Sequence, residues 1–224
     1  DDLARYHRQM LLPGIGVDGQ RRLRGSTALL LGCGALGCVV ADQLARAGVG
    51  HLVIVDRDFI DPTNLQRQVL FGERDVADGL PKAEAARRRL ASINPGVTVT
   101  AIVDDLNHTS IERHAAGADV LVDGLDNLET RYLANDLAVK SARPYVYGAA
   151  VGTTGMALPI LPHAAGAAAW EDLPGGSLAT PCFRCLFEEA PPPGANATCD
   201  TVGILNSVAA IVGSFQAAET LKIL

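Results

Sequence analysis

The stretch DRDFIDPTNLQRQ, residues 56 to 68, opens with an acid and follows it with an amide and a cation: Asp56, Asn64 and Arg67, with Lys82 farther on. An acid on the loop after a strand, at the carboxyl edge of an α/β sheet, is placed to bind ribose hydroxyls. Arg67 and Lys82 then carry fixed positive charge toward whatever lies beyond the sugar. That combination suits a triphosphate rather than a nicotinamide. A second loop, VDGLDN, puts Asp123 and Asp126 after another apolar strand, where a carboxylate can hold Mg2+ bridging phosphate oxygens. Asp126 is read as the functional acid and Asp123 as structural. The chain has no GxxxxGK[ST], so ATP would be handled without a P-loop.

Blander readings stand beside these. Asn64 would equally shape a turn, Arg67 and Lys82 would equally be surface charges, and either aspartate would serve as a cap for the helix that DNLETR suggests.

Such side chains need a scaffold that gathers loops at one sheet edge. TALLLG (27–32) reads as a buried parallel strand, ALGCVVADQLARAG (35–48) as a helix stopped by Gly48, and HLVIVD (51–56) as a second strand. The turn Gly32-Cys33-Gly34-Ala35-Leu36-Gly37 matches GxGxxG, with Asp56 about 20 residues on, as in the dinucleotide fingerprint. Its glycines let the backbone approach phosphate, and the helix N-terminus offers unpaired N–H groups. Alone the fingerprint favours NAD or FAD; NLQRQ, Lys82 and LDN reverse that preference toward ATP.

The alternation continues with a helix over 82–93, a strand over 97–103, a short helix near 109–116, a strand over 119–124, a helix over 127–142 and a strand over 144–150. This predicts an α/β fold: a doubly wound, mostly parallel, Rossmann-like sheet, with antiparallel edge strands at the C-terminal side, where TTGMALPILP reads as an edge strand. Residues 163–200 are rich in Ala, Gly and Pro and lack periodicity; so long a stretch within a compact domain is functional or disordered. An apolar helix over 203–224 closes the chain. The whole of 1–224 is expected to be one domain, with 1–26 as an N-terminal arm.

Composition bounds the function. The 224 residues carry a net charge of -6, which leaves no basic stripe and argues against general nucleic-acid binding. No apolar run approaches a bilayer span and DDLARYHRQM lacks a secretory pattern, so a soluble, cytoplasmic protein without a membrane partner is expected. Of the five cysteines, Cys182 and Cys185 form a CxxC whose spacing in a cytosolic chain suggests metal or redox chemistry. Cys33 and Cys38 read as small core residues. Cys199, in a loop near a helix N-terminus, would have a lowered pKa and good access. The five histidines form no visible ligand cluster.

Seven stretches in order, RYHRQMLLPGIGVDGQ, LGCGALGC, AGVGHLVIVDRDFIDPTNLQRQ, PKAEAARRRLASINP, DGLDNLETRYLAND, PCFRCLF and VGSFQAAETLKIL, resemble the ThiF/MoeB/HesA group, relatives of the ubiquitin-activating enzymes, over nearly the whole chain. The resemblance implies that Gly32, Gly34, Ala35 and Gly37 cradle ATP, that Asp56 binds the ribose with Asp58 beside it, and that Asn64, Arg67 and Lys82 contact the phosphates. It implies Mg2+ and the adenylation step at Asp126, and insertion of Arg8 into the site of the other subunit of a homodimer. The implied reaction is adenylation of the C-terminal glycine of a ubiquitin-like sulfur-carrier protein ending in Gly-Gly, with release of pyrophosphate. Cys182 and Cys185 would be half of a four-thiolate structural Zn2+ site whose second pair lies beyond Leu224, so a C-terminal truncation is expected. Cys199 matches the cysteine that some members use as a nucleophile. Asn206 and Leu125 depart from the usual glycine and threonine. Other acceptors, namely a small molecule, a peptide or tRNA, or a non-catalytic scaffold role, remain alternatives.

Overall fold

The computed structural model describes residues 3–162, 180–189 and 199–224. Six strands, β1 Thr27–Leu31, β2 His51–Val55, β3 Thr98–Ile102, β4 Val120–Asp123, β5 Tyr145–Val151 and β6 Thr154–Ile160, form one sheet in the order β3-β2-β1-β4-β5-β6. The first five are parallel to their neighbours, and β6 runs antiparallel to β5. The helices are α1 His7–Met10, α2 Gly16–Gly25, α3 Ala35–Ala47, α4 Glu73–Ala77, α5 Lys82–Ile93, α6 Ile111–His114, α7 Leu128–Ser141, α8 Phe183–Leu186, α9 Cys199–Val202 and α10 Asn206–Ile223.

Apart from Thr27, His51 and Asp123 at their ends, β1, β2 and β4 are apolar because both sheet faces are covered. Leu30, Ile54 and Val122 pack with Leu44, Ala86 and Ala217 of α3, α5 and α10, whereas Leu29, Leu31 and Leu121 pack with Ile111, Tyr132 and Phe183 on the opposite face. Register then sets the site. Leu31 pairs with Val55 on one side and Asp123 on the other, and Val55 pairs with Ile102, so the loops leaving β1, β2, β3 and β4 share one edge.

Several boundaries differ from the sequence reading. The N-terminal arm is helical over α1 and α2. The terminal helix begins at Asn206 rather than 203, because Gly203 takes a positive φ of 76° and Ile204 pairs with Gly152 as an isolated bridge. Within the stretch read as aperiodic, α8 follows Cys182 and α9 begins at Cys199. One antiparallel edge strand is present among the described residues.

Candidate active site

Three glycines join the first and fourth strand loops. Gly32 has a φ of +92°, and a Cβ there would lie 2.6 Å from the Gly124 carbonyl oxygen; one on Gly37 would lie 2.3 Å from the Gly32 oxygen, and one on Gly124 2.4 Å from that same oxygen. Side chains at these positions would push the two loops apart. Gly34 is different: a Cβ there would meet only the Gly124 oxygen, at an ordinary 3.6 Å. Gly34 is the N-cap of α3 and supplies no side-chain cap, so the first turn of the helix keeps N–H groups for an anion, with Ala35 as its first residue.

Asp56 is tied to this turn. Its carboxylate accepts from the Cys33 N–H at 2.7 Å and from the Asp58 N–H at 2.8 Å. Burial raises its pKa, against the two N–H donors and Lys82, which favour the charged form. Asp58 passes the connection on: its Oδ2 accepts from Lys82 Nζ at 2.9 Å, and its carbonyl accepts from the Lys82 N–H at 2.9 Å. Lys82 is buried and is the first residue of α5, and among the described residues its ammonium pairs with the half-exposed Asp58 carboxylate. The geometry links Gly32, Gly34, Asp56, Asp58 and Lys82 into one surface at the carboxyl edge.

The β4 loop completes that edge. Asp123, fully buried, accepts from the Leu125 N–H at 2.8 Å, Tyr145 Oη at 2.7 Å and Arg131 Nε at 3.1 Å. Burial raises the Asp123 pKa, and the Arg131 charge opposes it. Arg131 also donates to the Leu125 carbonyl at 2.6 Å and the Gly148 carbonyl at 3.1 Å, while Gln216 of α10 donates to the Asp123 carbonyl at 2.7 Å. This network shapes the loop from behind and leaves Asp126 exposed, with one contact from Asn127 Nδ2 at 3.3 Å. Asp126 therefore keeps acceptor capacity for a hard cation, whereas Asp123 has none to spare. Sequence reading separated the two acids but missed Arg131, Tyr145 and Gln216; nothing in DNLETRY distinguishes an arginine facing the core from a solvated one.

Other expected residues are not joined to this surface by contact. Asn64 accepts from the Asp61 N–H at 3.2 Å in a capping box, the turn-shaping role, and Arg67 donates to the Thr63 carbonyl at 2.9 Å within the same loop. Arg8 lies at the far end of α3. Two residues before it, Tyr6 sits over Gly48; one residue after it, Gln9 donates to the Ala47 carbonyl at 3.0 Å. The thirteen residues of α3 separate that point from the glycine turn by about 18 Å, beyond the reach of an arginine side chain.

Cys182 and Cys185 have sulfurs 3.7 Å apart, close to the ~3.8 Å edge of a tetrahedron with Zn–S of about 2.3 Å. Burial works to raise the Cys182 pKa, but hydrogen bonds, chiefly from Cys185, leave it lowered. The pair therefore fits two of four zinc ligands, although among the described residues no group of three or more candidate ligands exists. The turn is held without metal: Asn135 Oδ1 accepts from the Phe183 N–H, and Arg184 forms a two-bond pair with Asp136. Cys33 and Cys38 are buried, as expected of core residues. The Cys199 side chain lies outside the described residues. Among the described residues, no helix is long and apolar enough to cross a membrane.

The sheet order and glycine turn define a Rossmann-like α/β domain. The sequence profile of the ThiF family matches residues 6–224, and the chain belongs to that family. It is 44% identical over 221 residues to the sulfur carrier protein ThiS adenylyltransferase of Bacillus subtilis, a match covering 99% of this chain and 61% of that protein. It is 41% identical over 224 residues to the sulfur carrier protein adenylyltransferase of Thermus thermophilus, covering all of this chain and 78% of the relative. The crystal structure of E. coli MccB with MccA-N7isoASN is similar at a TM-score of 0.80 and 26% identity, over 98% of this chain and 64% of that one. The chain thus spans less than two thirds of the Bacillus relative and of MccB.

Proposed function

We propose that the chain is the nucleotide-handling part of an ATP-dependent adenylyltransferase, acting on the C-terminal glycine carboxylate of a ubiquitin-like sulfur-carrier protein. The observation that carries this reading is the continuous line Cys33 N–H, Asp56, Asp58, Lys82, which adjoins a loop that leaves Asp126 exposed beside its contact from Asn127. The two bacterial sulfur carrier adenylyltransferases support the choice of acceptor.

The reaction brings together a carboxylate and the α-phosphate of ATP, both anionic, so the protein must neutralise charge and fix an in-line approach. In this reading the uncapped start of α3 binds phosphate oxygens and Asp56 the ribose. Lys82 exchanges its contact with Asp58 for a phosphate contact, and Arg67 adds charge from the neighbouring loop. Asp126 would hold Mg2+, which when bound neutralises pyrophosphate as it leaves. Arg8, too far from its own glycine turn, serves the site of a second copy in a homodimer. Cys182 and Cys185 would hold one half of a structural Zn2+ site.

ATP–pyrophosphate exchange in the presence of Mg2+ and small carriers ending in Gly-Gly tests the reaction. Exchange should require one carrier and disappear when its last glycine is removed. Exchange stimulated instead by a peptide or other small acceptor would move the reading there, and ATP binding without any exchange would leave a scaffold. The composite site has its own test. Co-expressed Arg8→Ala and Lys82→Ala chains, each inactive alone, should recover about a quarter of the wild-type rate, from random pairing in a two-fold dimer.

A further inference from the structure

The paired register between β4 and β5 is short, joining Leu121 to Tyr145 and Val122 to Val146. Past Val122, side chains take over the bridging. Gln216 Nε2 donates to the Asp123 carbonyl at 2.7 Å and to the Val146 carbonyl at 3.2 Å. One terminal nitrogen of Arg131 joins the Leu125 carbonyl to the Gly148 carbonyl, at 2.6 and 3.1 Å, while its Nε reaches the Asp123 carboxylate. The two side chains come from opposite faces of the sheet, since α10 packs with Ile54 and Val122 and α7 with Leu121. The loop leaving β4 is thus tied to β5 from both faces.

Packing alone does not account for either residue. Gln216 is fully buried, and its Oε1 accepts from no group among the described residues. Its amide lies so close to β5 that a Cβ on Gly148 would meet Gln216 Cδ at 2.2 Å. A buried acceptor without a partner costs stability, so an apolar side chain would fill that space better; what the amide adds is its two donated bonds. Arg131 is buried opposite Asp123 with its guanidinium 5.5 Å from the Tyr147 ring centroid, and a buried ion pair is often replaceable by apolar residues without loss of stability.

What the bridges fix is the residue between two anchored neighbours. Leu125 is held at both backbone groups, its N–H by the Asp123 carboxylate and its carbonyl by Arg131. Asn127 is held as the N-cap of α7, where its side chain accepts from the Thr130 N–H at 2.9 Å. Asp126 lies between them, with an exposed carboxylate on an anchored backbone. Residues behind a metal ligand that fix its direction strengthen metal binding without touching the metal.

We propose that Arg131 and Gln216 are positioning residues for the Mg2+ that accompanies ATP, acting through the β4 loop to hold Asp126 in place. The role assigned to them rests on the Mg2+ reading of Asp126 above and deepens it. Neither side chain touches the nucleotide; the bridge to β5 orders the loop during folding, so that Asp126 is not ordered at the expense of metal binding.

The test is the affinity for ATP by calorimetry, measured once in EDTA and once in excess Mg2+. Arg131→Lys keeps a positive charge opposite Asp123 and loses the fork that spans Leu125 and Gly148. It should weaken ATP binding in Mg2+ by about 10–100-fold and leave binding in EDTA unchanged. Combined with Asp126→Asn, it should weaken binding no further than Asp126→Asn alone, because the two act through one group. Gln216→Met keeps the volume, removes both donors on the α10 side and should show the same selectivity, so the test stands where Arg131→Lys fails to fold. Asn94→Ala, a stability change at the far end of α3, should alter neither affinity. Wild-type affinity in Mg2+ for both folded variants, an equal loss in EDTA, or a loss that adds to that of Asp126→Asn overturns the proposal. Asp126→Asn with wild-type affinity in Mg2+ removes the Mg2+ reading itself, whereas a loss in Asp126→Asn with none in Arg131→Lys or Gln216→Met removes only the positioning role.

Discussion

The two ends of α3 are built from opposite principles. At its C-terminus the protein satisfies almost everything: Gly48 closes the helix in the left-handed conformation, Asn94 donates to the Ala45 carbonyl at 2.7 Å, and Gln9 and Gln20 both donate to the Ala47 carbonyl. The Tyr6 ring lies where a Gly48 Cβ would be, and its hydroxyl accepts from Asn94 at 2.8 Å. At its N-terminus no side chain caps the helix, and the glycine there is neither required by packing nor forced by a positive φ. A helix closed at one end by three amide side chains and left open at the other is arranged to receive something at the open end. The positive end of the helix dipole points there, toward the same edge as Lys82.

The largest effect should come from removing charge at the open end. Lys82→Ala is expected to lower ATP–pyrophosphate exchange by about 10²–10³-fold, the scale for removing one donor to a developing charge. Because Lys82 is buried against the Asp58 carboxylate, Lys82→Met separates the roles: it fills the space without the charge and should be nearly as inactive while folding normally. Wild-type exchange in Lys82→Met would sink the assignment.

The closed end should behave in the opposite way. Asn94→Ala removes the donor to both Tyr6 Oη and the Ala45 carbonyl, which keeps the Gly48 N–H at 3.2 Å, and should destabilise the protein by ~1–3 kcal/mol in urea. Its affinity for ATP should be unchanged in a titration at a denaturant-free temperature well below melting. A large loss of ATP binding in a stably folded Asn94→Ala would mean that the two ends are coupled and the contrast drawn between them is wrong.

The difference between the ends also accounts for what could be read from sequence. Positions fixed by backbone geometry or by hydrophobic period were legible: the glycine turn, the strand-ending Asp56, the stop at Gly48 and the doubly wound, mostly parallel sheet implied by alternating strands and helices. Positions fixed by contacts between distant segments were not. Gln20, Asn94 and Gln216 look like ordinary polar residues, and only the fold shows that they bond carbonyls 27, 49 and 93 residues away. Arg131 was hidden for the same reason, as was the pairing of Lys82 with Asp58, which is 24 residues distant. The location of Arg8 at the closed end could not be read either, since it follows from Tyr6 and Gln9 finding partners at the ends of α3 and α5.

The smallest effect is expected on the outer side of α5, where charges satisfy one another and no ligand is involved. Glu84, two residues after Lys82, accepts from Arg87 at 2.7 and 2.8 Å and from Arg88 at 2.8 Å, and these bonds lower its pKa from 4.5 to about 2. A depressed carboxylate pKa means that the unfolded chain takes up the proton first as acid is added. The stabilisation from Glu84 is therefore complete above about pH 4.5 and lost as pH falls toward 2. The arginines are largely solvated, so screening limits the contribution to ~0.5 kcal/mol. The stability difference between wild type and Glu84→Gln, measured by urea unfolding, should shrink over that interval, and Glu84→Gln should leave exchange near neutral pH intact. If it instead lowers exchange as Lys82→Ala does, the two faces of α5 are not independent, and the uncapped end of α3 loses its claim to be the place where charge is left free for a ligand.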